Sequence, residues 1–176
     1  MRKAVLYLCI FLAFILIYFL HSNFFTWFNI AGIQPNMIVI LILFCGLFMG
    51  KQQGLIWGTV CGIFLSLFIQ TDVIIAPIML GIVGFVSGVI SKNFSKESRF
   101  NIMVMVIVAT FAYELGSYFL KILIFKSTVE IFAFIKIILI EMFFNAMITI
   151  IISPIIQYFG QKIEDKLLGM DVLRYY

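Results

Sequence analysis

Charge is what this chain lacks most. Only 11% of its 176 residues are Asp, Glu, Lys or Arg, against about 25% in a soluble domain. So little charge cannot keep a folded domain in water, and a hydrophobic share of 64% excludes intrinsic disorder. Histidine occurs once, as His21, and the three cysteines Cys9, Cys45 and Cys61 lie singly within apolar sequence. Without a Cys-x-x-Cys spacing or a His/Cys cluster, neither a disulfide framework nor a zinc site is indicated. His21 follows the first apolar run and reads as a plain interfacial residue. Proline is scarce too, at three residues, and no Pro- or Ser-rich linker divides the chain, so one domain over 1–176 is the simplest count. No serine has a base at suitable spacing and no Gly-rich phosphate loop stands outside an apolar run, so neither an enzyme nor a cofactor is indicated. The net charge is +4, but the basic residues are scattered between apolar segments. That distribution argues for membrane topology and against a nucleic-acid partner.

What fills the chain instead is apolar sequence, in six stretches: 4–20, 35–50, 54–69, 73–91, 101–125 and 131–160. These predict an all-α integral membrane protein of six transmembrane helices, with 161–176 as a cytoplasmic tail or a short amphipathic helix. The Met1-Arg2-Lys3 start imitates a signal peptide, but His21-Ser22-Asn23 offers no small-residue cleavage site, so the first stretch is expected to stay as a helix. Six spans with both termini inside place Arg2, Lys3, Lys51, Lys92, Lys96, Arg99, Lys162, Lys166 and Arg174 on the cytoplasmic side and Lys126 alone outside. This positive-inside bias predicts the N-in/C-in orientation. Pro35 suits a first helical position, with Gln34 before it as a candidate cap. The second and third stretches reach only about 24 Å at 1.5 Å per residue, short of a hydrocarbon core of roughly 30 Å, and so need shielding by neighbours. Pro154 is expected to kink the last helix or mark its approach to the inner interface.

Glycine is patterned. Gly46, Gly50, Gly54, Gly58 and Gly62 stand at four-residue intervals, and Gly81, Gly84 and Gly88 continue the theme in the fourth stretch. In a helix, that spacing makes a smooth strip that another backbone can approach closely. The strip, with Gly84 and Gly88, is a candidate packing face within the bundle or toward a partner. Lys51-Gln52-Gln53 is expected to break the ladder into two antiparallel helices packed on each other.

Four charges fall inside the last two stretches: Glu114, Lys121, Lys136 and Glu141. A charge at a helix centre costs about 2.5–3.5 kcal/mol on insertion scales. Counted from the loop near Lys126–Glu130, the lysines lie about 6–8 Å deep and can snorkel, whereas the glutamates lie about 15 Å deep and cannot. Asn145 is one turn beyond Glu141 on the same face. A polar cluster of Glu114, Glu141 and Asn145 is therefore expected between the fifth and sixth helices. Two adjacent carboxylates disfavour double ionisation, so one of them is expected to carry a proton. Three roles fit the cluster: a lock for the bundle, a dock for a partner's helix, or a site for a cation or small substrate.

The motif Gln34-Pro35-Asn36 leads into an apolar run, then Gly50, Gly54, Gly58 and Gly62-Ile63-Phe64-Leu65-Ser66-Leu67 follow. With Gly84-Phe85-Val86-Ser87-Gly88, Asn145 and Pro154, this pattern resembles the rod shape-determining MreD family over most of the chain. The family usually has an aspartate where this chain has Ser66, with Asp72 the next acidic residue. The resemblance implies a non-enzymatic scaffold of the bacterial plasma membrane, required for rod shape and lateral peptidoglycan synthesis. Its implied partners are an MreC-like single-span protein, a wall-synthesis polymerase and transpeptidase, and an MreB-like filament on the cytoplasmic side. The implied fold is similar to that of energy-coupling-factor substrate-binding subunits. The alternative function is such a vitamin-binding subunit, although the first helix lacks a small-residue docking face, with Ala4 and Ala13 nine apart.

Overall fold

The computed structural model describes residues 2–25, 27, 29–30, 32–69, 74–91, 98–126 and 130–172. Its order is α1 (Arg2–Phe19), a five-residue π-helical turn (Leu20–Phe24), α2 (Met37–Met49), α3 (Lys51–Ile69), α4 (Ile75–Ile90), α5 (Arg99–Phe125) and α6 (Ile131–Val172). Among the described residues there is no strand, only a single β-bridge between Ile30 and Ile33.

The centre of the molecule is α2. Eleven of its thirteen residues are buried, and it touches α1, α3, α4, α5 and α6. At 1.5 Å per residue it is about 20 Å long, too short to meet lipid along a full hydrocarbon thickness. Burial resolves that mismatch, because neighbouring helices rather than lipid surround it. The exterior is apolar as well: Leu67 on α3 is 67% exposed and Phe132 on α6 is 89% exposed. Apolar inside and outside together is the pattern of a bundle solvated by lipid tails.

The break between α2 and α3 falls at Gly50, one residue before the expected polar tripeptide. Gly50 has φ +87° and its N–H bonds back to the Gly46 carbonyl, a conformation that glycine reaches without strain. Lys51, Gln52 and Gln53 already form the first turn of α3. The start of α2 also shifts: Pro35 lies two residues ahead of it, and Asn36 rather than Gln34 is the cap, its side chain accepting from the Val39 N–H at 3.3 Å. Asparagine outranks glutamine there because its shorter side chain reaches the third amide of the helix.

An aromatic seam fastens α1 to α3. Tyr7 meets Trp57, Phe11 and Phe14 both meet Phe64, and Tyr18 meets Phe68, with ring centroids 5.8–6.1 Å apart. These separations lie in the favourable range for tilted aromatic pairs. The last helix runs on through Pro154 to Val172 and so takes in much of the expected tail. Proline removes the N–H that would bond to the Ile150 carbonyl, and the Ser153 hydroxyl donates to that carbonyl at 3.3 Å instead. Other hydroxyls bond back to their own helices in the same way, Thr59 to Leu55, Ser66 to Gly62 and Ser87 to Gly84. This is how small polar groups are accommodated where water is absent.

Candidate functional site

Two seams organise the candidate residues. The first is built of backbone. A methyl group placed on Gly54 would collide with the Gly84 carbonyl, on Gly58 with the Leu80 carbonyl, and on Gly62 with Pro77. From the other side, Gly84 is opposed by the Gly54 carbonyl and Gly88 by the backbone of Lys51. Gly46 of α2 is opposed by Gly84 and Ser87. The glycine strip is therefore filled chiefly by α4, which lies across both halves of the ladder. The two halves also meet each other, since a methyl on Gly54 would come within 2.7 Å of the Gly46 Cα. Gly50 stands outside the strip, with open space where a side chain would be.

The second seam is polar. On α5, Thr110, Glu114 and Ser117 share one face at helical spacing; on α6, Glu141, Asn145 and Thr149 do the same. Asn145 is completely buried. Its side-chain amide donates to the Thr110 hydroxyl at 2.9 Å, and its side-chain oxygen accepts from the Asn36 backbone N–H at 2.8 Å. One turn away, the Glu141 carboxyl hydrogen-bonds to the Glu114 carboxyl and to the Asn36 side chain. Thr110 thus faces Asn145 and Glu114 faces Glu141, an antiparallel register stepping one turn at a time. The other oxygen of Glu141, Oε1, is buried without a partner, as is the Ser117 hydroxyl.

Asn36 joins the second seam to the centre of the fold. Its side-chain oxygen caps α2, its side-chain amide is left to reach Glu141, and its backbone N–H reaches Asn145. Pro35 beside it is buried, and its carbonyl accepts from His21 in the π-helical turn. The histidine is thus partly buried against the start of α2. Asn36→Ala is expected to remove the cap and the Glu141 contact while keeping the backbone bond. The expected loss is about 1 kcal/mol of stability, the usual worth of an N-cap, measured by denaturant unfolding in detergent.

The sequence grouping of Glu114, Glu141 and Asn145 is thus one contiguous set of contacts, and Gln34-Pro35-Asn36 lies against it through Asn36. Thr110 and Ser117 belong to the same neighbourhood and escaped the sequence reading, and His21 borders it through Pro35. Thr110 stands one turn before Glu114, as Asn145 stands one turn after Glu141, so extending the polar face on α5 would have found it. Ser66 donates to its own helix, and Asp72 lies outside the described residues. Lys92, Lys96 and Arg174, which served the topology argument, also lie outside them.

A helical bundle with an apolar exterior and buried polar seams defines a membrane protein. Three of its helical segments, Tyr7–Phe24, Arg99–Phe125 and Ile131–Gln161, are long and apolar enough to cross a membrane, and two shorter apolar helices, Met37–Met49 and Ile75–Ile90, accompany them. The chain belongs to the MreD family: the family described as rod shape-determining protein MreD matches residues 2–163. No curated protein and no solved structure matches the chain. Membership in this family implies a role in rod-shape determination.

Proposed function

We propose that this chain is a non-enzymatic scaffold of the bacterial plasma membrane, spanning it six times with both termini inside, that serves cell elongation by binding other membrane proteins. The observation that carries this reading is the family match over residues 2–163. The six helices and the positive-inside charge distribution support the topology. The partners are an MreC-like single-span protein, a wall-synthesis polymerase and transpeptidase, and an MreB-like filament reached from the cytoplasmic side. The glycine strip holds the chain's own helices together, and the partner helices meet the bundle so assembled. The seam joining Asn36, Glu114, Glu141 and Asn145 locks α2 to α5 and α6.

The test is complementation. In a rod-shaped bacterium depleted of its own MreD, this chain is expected to restore rods and to photo-crosslink with a single-span membrane protein. Round cells despite normal membrane levels of the chain, with no such crosslink, would overturn the scaffold reading. Tight vitamin binding by the purified protein would replace it with the transporter-subunit reading.

A further inference from the structure

The carboxyl groups of Glu114 and Glu141 touch, and a hydrogen bond between two carboxyl groups requires a proton on one of them. We propose that the pair is a single proton-binding site within the α5–α6 seam, and that its shared proton keeps the start of α2 bound to α6. The site concerns the folding of one chain and stands apart from the scaffold reading.

Three features favour it. Glu141 is only 5% exposed in an apolar segment, so a second negative charge beside it would have no water to solvate it. Among the described residues, no three His, Cys, Asp or Glu side chains converge to hold a metal ion; the smallest ion, the proton, needs only the two carboxyls. The same carboxyl group is also tied to α2, because Asn36 touches Glu141 while its backbone N–H binds Asn145 one turn on. Loss of the proton leaves two carboxylates in contact, and their repulsion acts directly on the seam that positions Asn36.

The other titratable and charged groups around the pair are few. On α5 they are Tyr113, Tyr118 and, two turns beyond Glu114, Lys121; on α6 there is Lys136, which is exposed. The π-helical turn contributes His21 at Pro35, and neither α2 nor α4 carries a charged or histidine side chain. The start of α2 presents the positive end of its helix dipole, which favours one remaining negative charge on the pair and thereby the singly protonated state.

The experiment uses the full chain in lipid nanodiscs. Infrared spectroscopy reads the carbonyl stretch of a protonated carboxyl group, and dicyclohexylcarbodiimide, to which protonated carboxyls in apolar surroundings add to give stable acylurea adducts, is mapped by mass spectrometry. At neutral pH a protonated-carboxyl band is expected, with carbodiimide adducts on Glu114 or Glu141. Glu114→Gln and Glu141→Gln are each expected to shift the band, since the carboxyl–carboxyl hydrogen bond is lost, and the double variant is expected to remove it. Absence of the band and of adducts in the unsubstituted protein at neutral pH would overturn the proposal without any variant. So would a band that persists in the double variant.

Discussion

Gly58→Leu is expected to part α3 from α4 and to abolish the folded bundle at detergent concentrations that the unsubstituted chain survives. Even the first carbon of the new side chain would fall on the Leu80 carbonyl, and a backbone atom cannot rotate away as a side chain can. Overpacking a tight core typically costs about 1–3 kcal/mol; here the whole α3–α4 approach must open, so the loss should lie at or above that range. The graded alanine series decides whether backbone contact is the cause. Gly58→Ala and Gly54→Ala are expected to be strongly destabilising because both meet carbonyl groups. Gly116→Ala meets the flexible end of Met79 and should be mild, whereas Gly81→Ala meets the Thr59 hydroxyl at 2.8 Å, which must give up its bond to Leu55 to move, and should be intermediate. Gly50→Ala enters open space but at φ +87°, so it should lose about 1 kcal/mol or more through backbone strain alone. Unfolding followed by circular dichroism during denaturing-detergent titration gives the order. If Gly58→Ala proved as stable as Gly116→Ala, the close approach of α3 and α4 would be refuted.

The membrane class and the all-helical, six-helix make-up could be read from the sequence because each rests on composition or short-range periodicity. Low charge, long apolar stretches and glycine at every fourth residue need no tertiary knowledge. What the glycine strip would face was another matter. Spacing shows that Gly54, Gly58 and Gly62 share a side, but not that α4 would lie across it rather than α2. The ladder's regularity also concealed the role of Gly50, whose position in the series suggested packing while its positive φ makes it the hinge. In the polar seam, the large penalty for a mid-membrane carboxylate singled out Glu114 and Glu141 at once. Thr110 and Ser117 carry no such penalty and look like ordinary small residues until Asn145 and Glu141 are set opposite them. The bond from Asn36 to Asn145 spans 109 residues, and local pattern does not reach so far.

Asn145→Leu is expected to weaken the bundle more than any other single substitution in the polar seam. Asn145 is fully buried and ties together two distant groups, the Asn36 backbone N–H and the Thr110 hydroxyl. Leucine fills similar space but leaves that N–H facing an apolar side chain. A buried donor left without a partner costs about 1–3 kcal/mol. Thr110→Val leaves one buried donor, the Asn145 side-chain amide, without its acceptor but spares the Asn36 bond, whereas Asn145→Leu breaks both. The order Asn145→Leu well below Thr110→Val therefore assigns the main effect to the start of α2. Asn145→Asp separates the two bonds: it keeps an acceptor for Asn36, removes the donor to Thr110, and adds a third carboxyl one turn from Glu141. It should be tolerated better in acid than in alkali, where repulsion along the α6 face grows. A double-mutant cycle between Asn145→Leu and Thr110→Val, read by unfolding in detergent, isolates the coupling of that pair. If Asn145→Leu and Thr110→Val were equally mild, Asn36 would not be anchored through Asn145. In cells, Asn145→Leu should complement less well than Thr110→Val, because only the former breaks the backbone bond between the capped start of the central helix and α6.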